Sequence, residues 1–311
     1  MTIAPGFIGI DISKSMLDVF DSAVGRVERI PNTGVSIAAL IERWQPRPLL
    51  VLFEATGRYD QRLCRALRQA GIAFARVNPQ RARDFARAAG FLAKTDAVDA
   101  RMLALMAERL RPAGETSVQP DRERLRSLHR RRDQLVHMRA QERTRLSEAG
   151  EEEERCDIQR HIAWLSEQIR AFDGRIRTFI AAVQELARLH KQLCQAPGVG
   201  TVAATTLLAL MPELGSRSPK TIAALAGLAP LNHDSGAQRG KRTIAGGRKR
   251  VRDALYMAAL TAIRCSTHYS RVYKTFLAAG KAKKLAIVAI ARKLLIALNA
   301  MVRDNADFKP A

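Results

Sequence analysis

Short apolar runs separated by turns organise the start of the chain. Phe7–Ile12 is one such run, and residues 17–20 and 24–30 follow it with a tight turn near Gly25, which predicts three strands joined by hairpins. The continuous apolar run at 49–53 is typical of a parallel strand that is covered on both faces.

Helices and strands then alternate. Residues 59–70 predict a helix that ends at Gly71, Ala73–Val77 predicts another strand, and Pro79 suits the first position of a further helix. Hairpin strands followed by this alternation are the order expected of an RNase H-like sheet. We therefore predict an α/β domain over residues 1–115.

The middle of the chain, residues 116–194, has a helical pattern. Apolar residues alternate in steps of four and three, which predicts one long helix with a coiled-coil seam. The seam positions are Ile158, Ile162, Leu165, Ile169, Phe172, Ile176, Phe179, Val183, Leu186, His190 and Leu193, with His190 out of type. A weaker partner helix carries Leu125, Leu128, Leu135 and Met138. Gly150 and the acidic run 151–154 mark the tip of the hairpin, where we expect a solvated turn. The seam either dimerises or closes on its own hairpin.

Residues 195–311 predict a third, mainly helical domain. A helix at 201–210 follows Gly198 and Gly200, a short helix covers 221–225, and two further helices lie near 251–265 and 283–302. A glycine-rich basic loop occupies residues 236–247.

Charge narrows the classes of partner. Lys and Arg total 52 against 30 Asp and Glu, a net charge of +22, which favours a polyanion such as nucleic acid. A membrane partner is disfavoured because the most apolar late segment, 285–302, is interrupted by Arg292 and Lys293 and the chain starts without a basic leader. The four cysteines are far apart and without zinc spacing, which fits a reducing cytoplasm.

Four acidic residues stand at positions suited to metal chemistry. Asp11 and Glu54 each end an apolar strand, and Asp96 and Asp99 share one face at the start of a helix. Carboxylate oxygens bind Mg²⁺ or Mn²⁺, and two such ions can stabilise both the attacking and the leaving oxygens of a phosphodiester. The alternative for Asp96 and Asp99 is a helix cap and a favourable interaction with the helix dipole.

Two further segments suit contact with nucleic acid. Gly198 and Gly200 precede a helix in a helix-hairpin-helix pattern, where backbone N–H groups can approach phosphate; the alternative is an ordinary tight helical turn. The second segment, residues 239–252, holds seven basic residues and no acidic one, and we predict phosphate contacts there from Arg239, Lys241, Arg242, Arg248, Lys249 and Arg250.

A serine borders this basic loop. The hydroxyl of Ser235 could attack a phosphodiester and form a phosphoserine link, although an Asp-Ser-Gly sequence in a loop is usually only a turn. His233 is a possible base, but one histidine near a serine is not a catalytic triad.

These segments, in this order, resemble the DEDD transposases of bacterial insertion sequences, the IS one-ten family. The resemblance spans nearly the whole chain. It is carried by the motifs GID at 9–11, FEATG at 53–57, KTDAVDA at 94–100, PGVG at 197–200, GLAP at 227–230, SG at 235–236 and RVRDALY at 250–256.

The resemblance implies a detailed function. The N-terminal domain would be RuvC-like with Asp11, Glu54, Asp96 and Asp99 as its acidic tetrad, and Ser235 would be the nucleophile of the C-terminal domain. Members are recombinases guided by a structured non-coding bridge RNA that pairs with donor and target DNA. They act as dimers that join into tetramers, with the acids of one subunit and the serine of another sharing an active site, and the helical hairpin would serve that assembly.

Three other functions remain open on the sequence. A RuvC-like junction endonuclease would use the acids and metal-activated water without Ser235, and a non-enzymatic nucleic-acid-binding protein would need only the basic charge. A sugar kinase of the actin type also begins with a Gly-x-Asp strand, but a second phosphate loop is not apparent.

Overall fold

The structure, a computed structural model, divides the chain into two compact units, Met1–Val118 and Gln119–Ala311. For residues 231, 234–235 and 238–239 it describes the backbone only. The described residues are 3–4, 6–55, 57, 59–91, 95–114, 120–231, 234–235, 238–240 and 242–309.

The first unit is a five-stranded mixed sheet in the order β3-β2-β1-β4-β5. Strands β1 to β3 form the predicted antiparallel hairpins, and β4 and β5 run parallel to β1. The strands are β1 (Phe7–Ile12), β2 (Met16–Asp21), β3 (Arg26–Pro31), β4 (Leu50–Glu54) and β5 (Ala73–Val77), and the helices are α1 (Gly34–Trp44), α2 (Gln61–Gln69), α3 (Pro79–Ala88) and α4 (Asp96–Leu110). The predicted α/β architecture of this region is confirmed.

Helices cover both faces of the sheet because the strands alternate their side chains. On one face, Ile10 and Phe53 pack against helix residues that include Trp44 of α1. On the other face, Leu52 packs against α4 residues such as Leu103. The carboxyl ends of β1 and β4 therefore lie beside the first turn of α4.

The second unit is mainly helical. Its helices are α5 (Pro120–Glu148), α6 (Glu152–Ala182), α7 (Gln184–Leu193), α8 (Thr201–Leu210), α9 (Pro219–Leu225), α10 (Lys249–Cys265), α11 (Thr267–Ala278) and α12 (Lys283–Asp304). Two short strand pairs lie in and just before the basic loop: β6 (Pro230–Leu231) with β9 (Thr243–Ile244), and β7 (Asp234–Ser235) with β8 (Gln238–Arg239). By length and composition α12 could cross a membrane, but 56% of its apolar window is buried within the unit, as in the core helix of a folded domain.

The helical hairpin closes on itself, with Leu135 of α5 packed against Leu165 and Ile169 of α6. The prediction of one continuous helix through residue 193 is wrong. Val183 has an extended backbone (φ −109°, ψ 106°) and separates α6 from α7. The spacing of apolar residues continues across this break, because α7 buries its own apolar face in the core of the second unit.

Two smaller predictions also need correction. The acidic residues 152–154 lie in the first turn of α6, where negative charge is favourable at a helix N-terminus, and the tip itself is Ala149 to Glu151. Helix α11 was not predicted. The division at residues 115 and 194 into three domains stays a prediction.

Candidate active site

Helix α4 lies across β1 at a position where only glycine fits. A Cβ atom on Gly9 would be 2.0 Å from the carbonyl oxygen of Ala100 and 2.4 Å from the backbone nitrogen of Ala104. Asp11 is two residues further along β1 and so points to the same face of the sheet as Gly9. The close approach at Gly9 thereby brings the N-terminus of α4 to Asp11.

The start of α4 is fixed by a capping hydrogen bond. The side chain of Thr95 accepts a hydrogen bond from the backbone N–H of Val98, so α4 begins at Asp96 and carries Asp99 in the same first turn. Both carboxylates also lie at the positive end of the helix dipole. The dipole role that we set against metal binding is therefore present, whereas the cap is Thr95 and not Asp96. A favourable interaction with the helix dipole does not exclude metal binding.

The predicted acidic residues gather at one edge of the sheet. Ile10 of β1 is paired with Phe53 of β4, so Asp11 and Glu54 follow at the ends of neighbouring parallel strands. Burial raises the pKa of Asp11, and the negative charges of Asp96 and Asp99 raise it further. The structure thus brings Asp11, Asp96 and Asp99 within electrostatic reach of one another.

A fifth acidic residue, which the sequence analysis missed, lies in this cluster. Asp18 of β2 is directly opposite Asp11 in the antiparallel β1–β2 pair and is only 5% exposed. Burial raises its pKa, the charge of Arg29 lowers it, and that of Asp96 raises it, with a net upward shift. A charged residue inside the apolar segment Leu17–Phe20 was the available signal.

Arg29 provides positive charge among these acids. Its guanidinium lies 3.9 Å from Asp18 Oδ2 and 3.6 Å from Asp96 Oδ2. Among the described residues, no group of three or more His, Cys, Asp or Glu side chains is close enough together to hold a metal ion. The acids are therefore gathered but not arranged as a coordination shell, and Arg29 is paired with two of them, Asp18 and Asp96.

The donor chemistry nevertheless fits a hard divalent cation. All members of the predicted tetrad offer carboxylate oxygens, the ligands that Mg²⁺ and Mn²⁺ prefer. Burial raises the pKa of Asp11 most, and repulsion from Asp96 and Asp99 adds to it; a bound cation would relieve this repulsion.

In the second unit, glycines and one arginine anchor the basic loop. A Cβ on Gly247 would lie 2.1 Å from the backbone nitrogen of Gly227, so the two backbones are in direct contact. Arg252 donates hydrogen bonds to the carbonyl oxygens of Gly246 (2.8 Å) and Gly227 (3.4 Å). The loop is thus closed at its base, where β6 pairs with β9.

Ser235 immediately precedes the basic loop in sequence. It is the last residue of β7, and its backbone is paired with Gln238 of β8. Asp234 is paired in the same way with Arg239. His233, Gly236 and Lys241 lie outside the described residues.

Two of the arginines predicted to bind nucleic acid are paired with acids inside the second unit. Arg248 donates to both carboxylate oxygens of Glu213 at 2.6 Å, and Arg250 donates to those of Asp133 at 2.5 and 2.9 Å. Burial raises the pKa of Glu213, but the hydrogen bonds and charge of Arg248 hold it below its ordinary value. These two arginines hold the end of the loop in place.

Most of the other residues predicted to bind nucleic acid are more exposed to solvent. Arg242 is exposed, and Lys249 is 80% exposed although it pairs with Asp253. Gly198 has a positive φ and packs against the backbone of α10, where a Cβ would lie 2.2 Å from the carbonyl oxygen of Ala258. Gly200 caps α8 and faces open space. The close packing of Gly198 is enough to explain why this position is glycine, whether or not it contacts nucleic acid. Gly200, in contrast, is accessible to a nucleic-acid backbone.

Comparison with known proteins gives two matches to family models and several relatives. Residues 8–149 match the DEDD-type IS110 transposase model, and residues 190–274 match the model described as transposase IS116/IS110/IS902 family. The chain belongs to this transposase family. The predicted enzyme class, DNA strand breakage and joining, is confirmed at the level of the family.

The relatives of this transposase include proteins of similar length. It is 28% identical over 313 residues to pilin gene-inverting proteins of Moraxella bovis and Moraxella lacunata, covering 97% of each chain. It is 32% identical over 157 residues to the insertion element IS900 uncharacterized 42 kDa protein of Mycobacterium paratuberculosis, covering 48% of this chain and 39% of that protein.

The two family matches cover different candidate catalytic residues of the transposase. The first covers every carboxylate of the predicted tetrad as well as Asp18 and Arg29, and it includes the whole of α5. The second covers Gly198, Ser235 and the basic loop.

Proposed function

We propose that this transposase is a DNA recombinase of a mobile element in which Ser235 is the nucleophile and an RNase H-like, RuvC-like unit supplies a metal-binding acidic tetrad. The observation that carries the proposal is the convergence of Asp11 with Asp96 and Asp99 at the end of β1, beside Glu54. Gly9 makes this convergence possible because it admits α4 against the strand.

The reaction conserves the energy of the phosphodiester. The Ser235 oxygen attacks phosphorus, a P–O bond to one deoxyribose oxygen breaks, and a phosphoserine bond forms. The serine proton passes to a base and the leaving oxygen takes up a proton. Attack by a deoxyribose hydroxyl of another strand reverses the step, so DNA is rejoined without an external energy source.

The acidic residues would hold Mg²⁺ or Mn²⁺. Such an ion supplies Lewis-acid stabilisation of the charge that develops on the phosphate oxygens. Asp11, Glu54, Asp96 and Asp99 supply the oxygen ligands in this proposal. Asp18 of β2 lies opposite Asp11, and Arg29 of β3 is paired with Asp18 and Asp96 and so balances part of the negative charge.

The partners proposed are donor DNA, target DNA and a non-coding guide RNA, with dimers that assemble into tetramers in the cytoplasm. The net charge of +22 supports a nucleic-acid partner. The relatives named for pilin gene inversion, matched over 97% of both chains, support recombination between two DNA sites. Division of the active site between subunits follows from the family resemblance.

Recombination of a reporter plasmid, carrying the native flanking DNA of the gene, tests the proposal. We expect Asp11→Asn and Ser235→Ala each to abolish strand exchange, while the matched surface controls Asp84→Asn and Ser147→Ala retain it. If Ser235→Ala still cleaves DNA, the protein is a metal-dependent junction endonuclease. If both active-site variants act like the wild type, the acids and the serine are not catalytic.

Guidance by RNA is tested separately by sequencing the nucleic acid that purifies with the protein. One discrete RNA that maps beside the gene supports a guide. Bulk RNA and DNA that salt removes would contradict guidance while leaving the recombinase chemistry untouched.

A further inference from the structure

A cavity in the second unit has features that neither the serine nor the acidic residues explain. It has a volume of about 450 Å³, within the range of small-molecule sites, and lies among α5, α6, α7 and α8. Ile180 and Ala181 line it before the break at Val183, and Ala187 lines it after the break. The two helices on either side of the interruption therefore both contribute to its wall.

Two residues that line this cavity each carry a buried polar atom that has no hydrogen-bond partner among the described residues. Thr205 is 4% exposed, and its Oγ1 is unpaired; His190 Nε2 is likewise buried and unpaired. Unpaired polar atoms in an apolar interior are costly, so a ligand that bonds to them would be favoured.

A third polar group is already satisfied and shapes the cavity. His129 Nε2 is 3.0 Å from Thr206 Oγ1, and its Nδ1 is 3.5 Å from Asp133. Burial lowers the pKa of His129, which favours the uncharged form of its ring. This flat imidazole and Thr205 line the same cavity.

Positive charge lines the same cavity. Arg132 is paired with Asp173, whereas Arg177 and Lys191 are exposed and contact no acidic side chain within the described part of the chain. The lining therefore combines apolar walls, two unpaired polar atoms and two unneutralised cations.

We propose that this cavity binds one unpaired nucleotide of a nucleic-acid strand, with the base inside against Thr205 and His190 and its phosphate at Arg177 and Lys191. A base has an apolar face and a hydrogen-bonding edge, and its phosphate is anionic, so the three properties of the cavity are matched by one ligand. The inference rests on the proposed function only in requiring a nucleic-acid partner; it needs neither Ser235 nor the acidic tetrad.

The test is binding of hairpin oligonucleotides that carry 2-aminopurine at one unpaired loop position, in RNA and DNA versions, to the full-length protein. We expect 2-aminopurine emission to rise on binding, because the base leaves its stacked neighbours. Thr205→Val, which removes the hydroxyl but keeps the shape, is expected to weaken binding about fivefold. Ala181→Trp, which fills the cavity from an exposed position, is expected to abolish the emission change.

Controls separate this pocket from general electrostatic attraction. Arg177→Gln should weaken binding of the unpaired loop more than binding of a fully paired duplex, whereas Arg170→Gln, on the same helix but outside the cavity, should weaken both equally. The RNA and DNA versions identify which strand the pocket accepts.

The proposal is overturned if Thr205→Val and Ala181→Trp, verified as folded by circular dichroism, bind the loop and change its emission like the wild type. Failure of the wild type to bind any nucleic acid would instead overturn the proposed function. Normal duplex binding with loss of only the loop preference in the cavity variants supports the pocket.

Discussion

At the scale of single residues, the negative charge of the acidic cluster lowers the stability of the folded state. Burial and the carboxylates of Asp96 and Asp99 raise the pKa of Asp11. A raised carboxyl pKa means that the ionised form is disfavoured in the folded state, so this contribution destabilises the fold above that pKa and disappears as pH falls through it.

We therefore expect Asp11→Asn to raise the melting temperature of the metal-free protein by roughly 2 °C at pH 7. The difference from the wild type should narrow as pH falls below the raised pKa of Asp11, because the wild-type side chain then also becomes neutral. Thermal unfolding followed by circular dichroism measures this. A lower melting temperature for Asp11→Asn at pH 7 would contradict the electrostatic account.

Arg29 provides a second test at this scale. Because its guanidinium pairs with Asp96 and Asp18, Arg29→Gln should leave more negative charge in the cluster and tighten Mn²⁺ binding roughly fivefold. Calorimetric titration with Mn²⁺ measures the affinity. Arg43→Gln is the matched control, since Arg43 pairs with Glu28 instead. Equal affinities in the wild type and Arg29→Gln would show that Arg29 does not compete with the metal.

At the scale of elements, α4 depends on one glycine. A Cβ at Gly9 would overlap the backbone of α4 at Ala100 and Ala104, and backbone cannot rotate away as a side chain can. The helix would have to shift, and Asp96 and Asp99 would shift with it. The same contact therefore contributes both to stability and to the geometry of the cluster.

Gly9→Ala is accordingly expected to lower the free energy of unfolding by about 2–3 kcal/mol, the cost of overpacking a filled core. Urea denaturation of the full chain measures this. Gly34→Ala, at the exposed start of α1 with open space around it, should change stability little. A Gly9→Ala protein as stable as the wild type would mean that α4 does not lie against β1 as described.

How much of the fold could be predicted depends on the range of the interactions involved. The strands Phe7–Ile12 and Ala73–Val77 and the start of α4 follow from local patterns, and the structure has them at the predicted bounds. The break at Val183 could not be predicted, because the heptad spacing continues on both sides of it. Asp18 was missed because its position opposite Asp11 depends on strand register.

At the scale of the whole molecule, the net charge of +22 does not show which basic side chains are accessible to nucleic acid. Arg250 is paired with Asp133, 117 residues away in sequence, while its neighbour Lys249 is mostly exposed. The sequence presents them as equivalent members of one basic run. Their contacts give them different roles, which no local pattern could reveal.

The two neighbours should separate stability from nucleic-acid affinity. We expect Arg250→Gln to destabilise the protein by about 1–3 kcal/mol, because it leaves Asp133 without its strongest partner. Lys249→Gln should leave stability nearly unchanged and lower the affinity for DNA, with a smaller dependence on salt. Urea denaturation and fluorescence anisotropy at several salt concentrations measure the two effects. The assignment is wrong if Lys249→Gln is the less stable variant.

The most direct test of the central claim is covalent trapping. The protein is incubated with Mg²⁺ and a nicked DNA substrate containing its recombination site, denatured and digested, and the DNA-linked peptide is sequenced by mass spectrometry. The account predicts a phosphodiester adduct on Ser235 that is absent from Ser235→Ala and Asp11→Asn. DNA cleavage without an adduct, or an adduct on another residue, would contradict it.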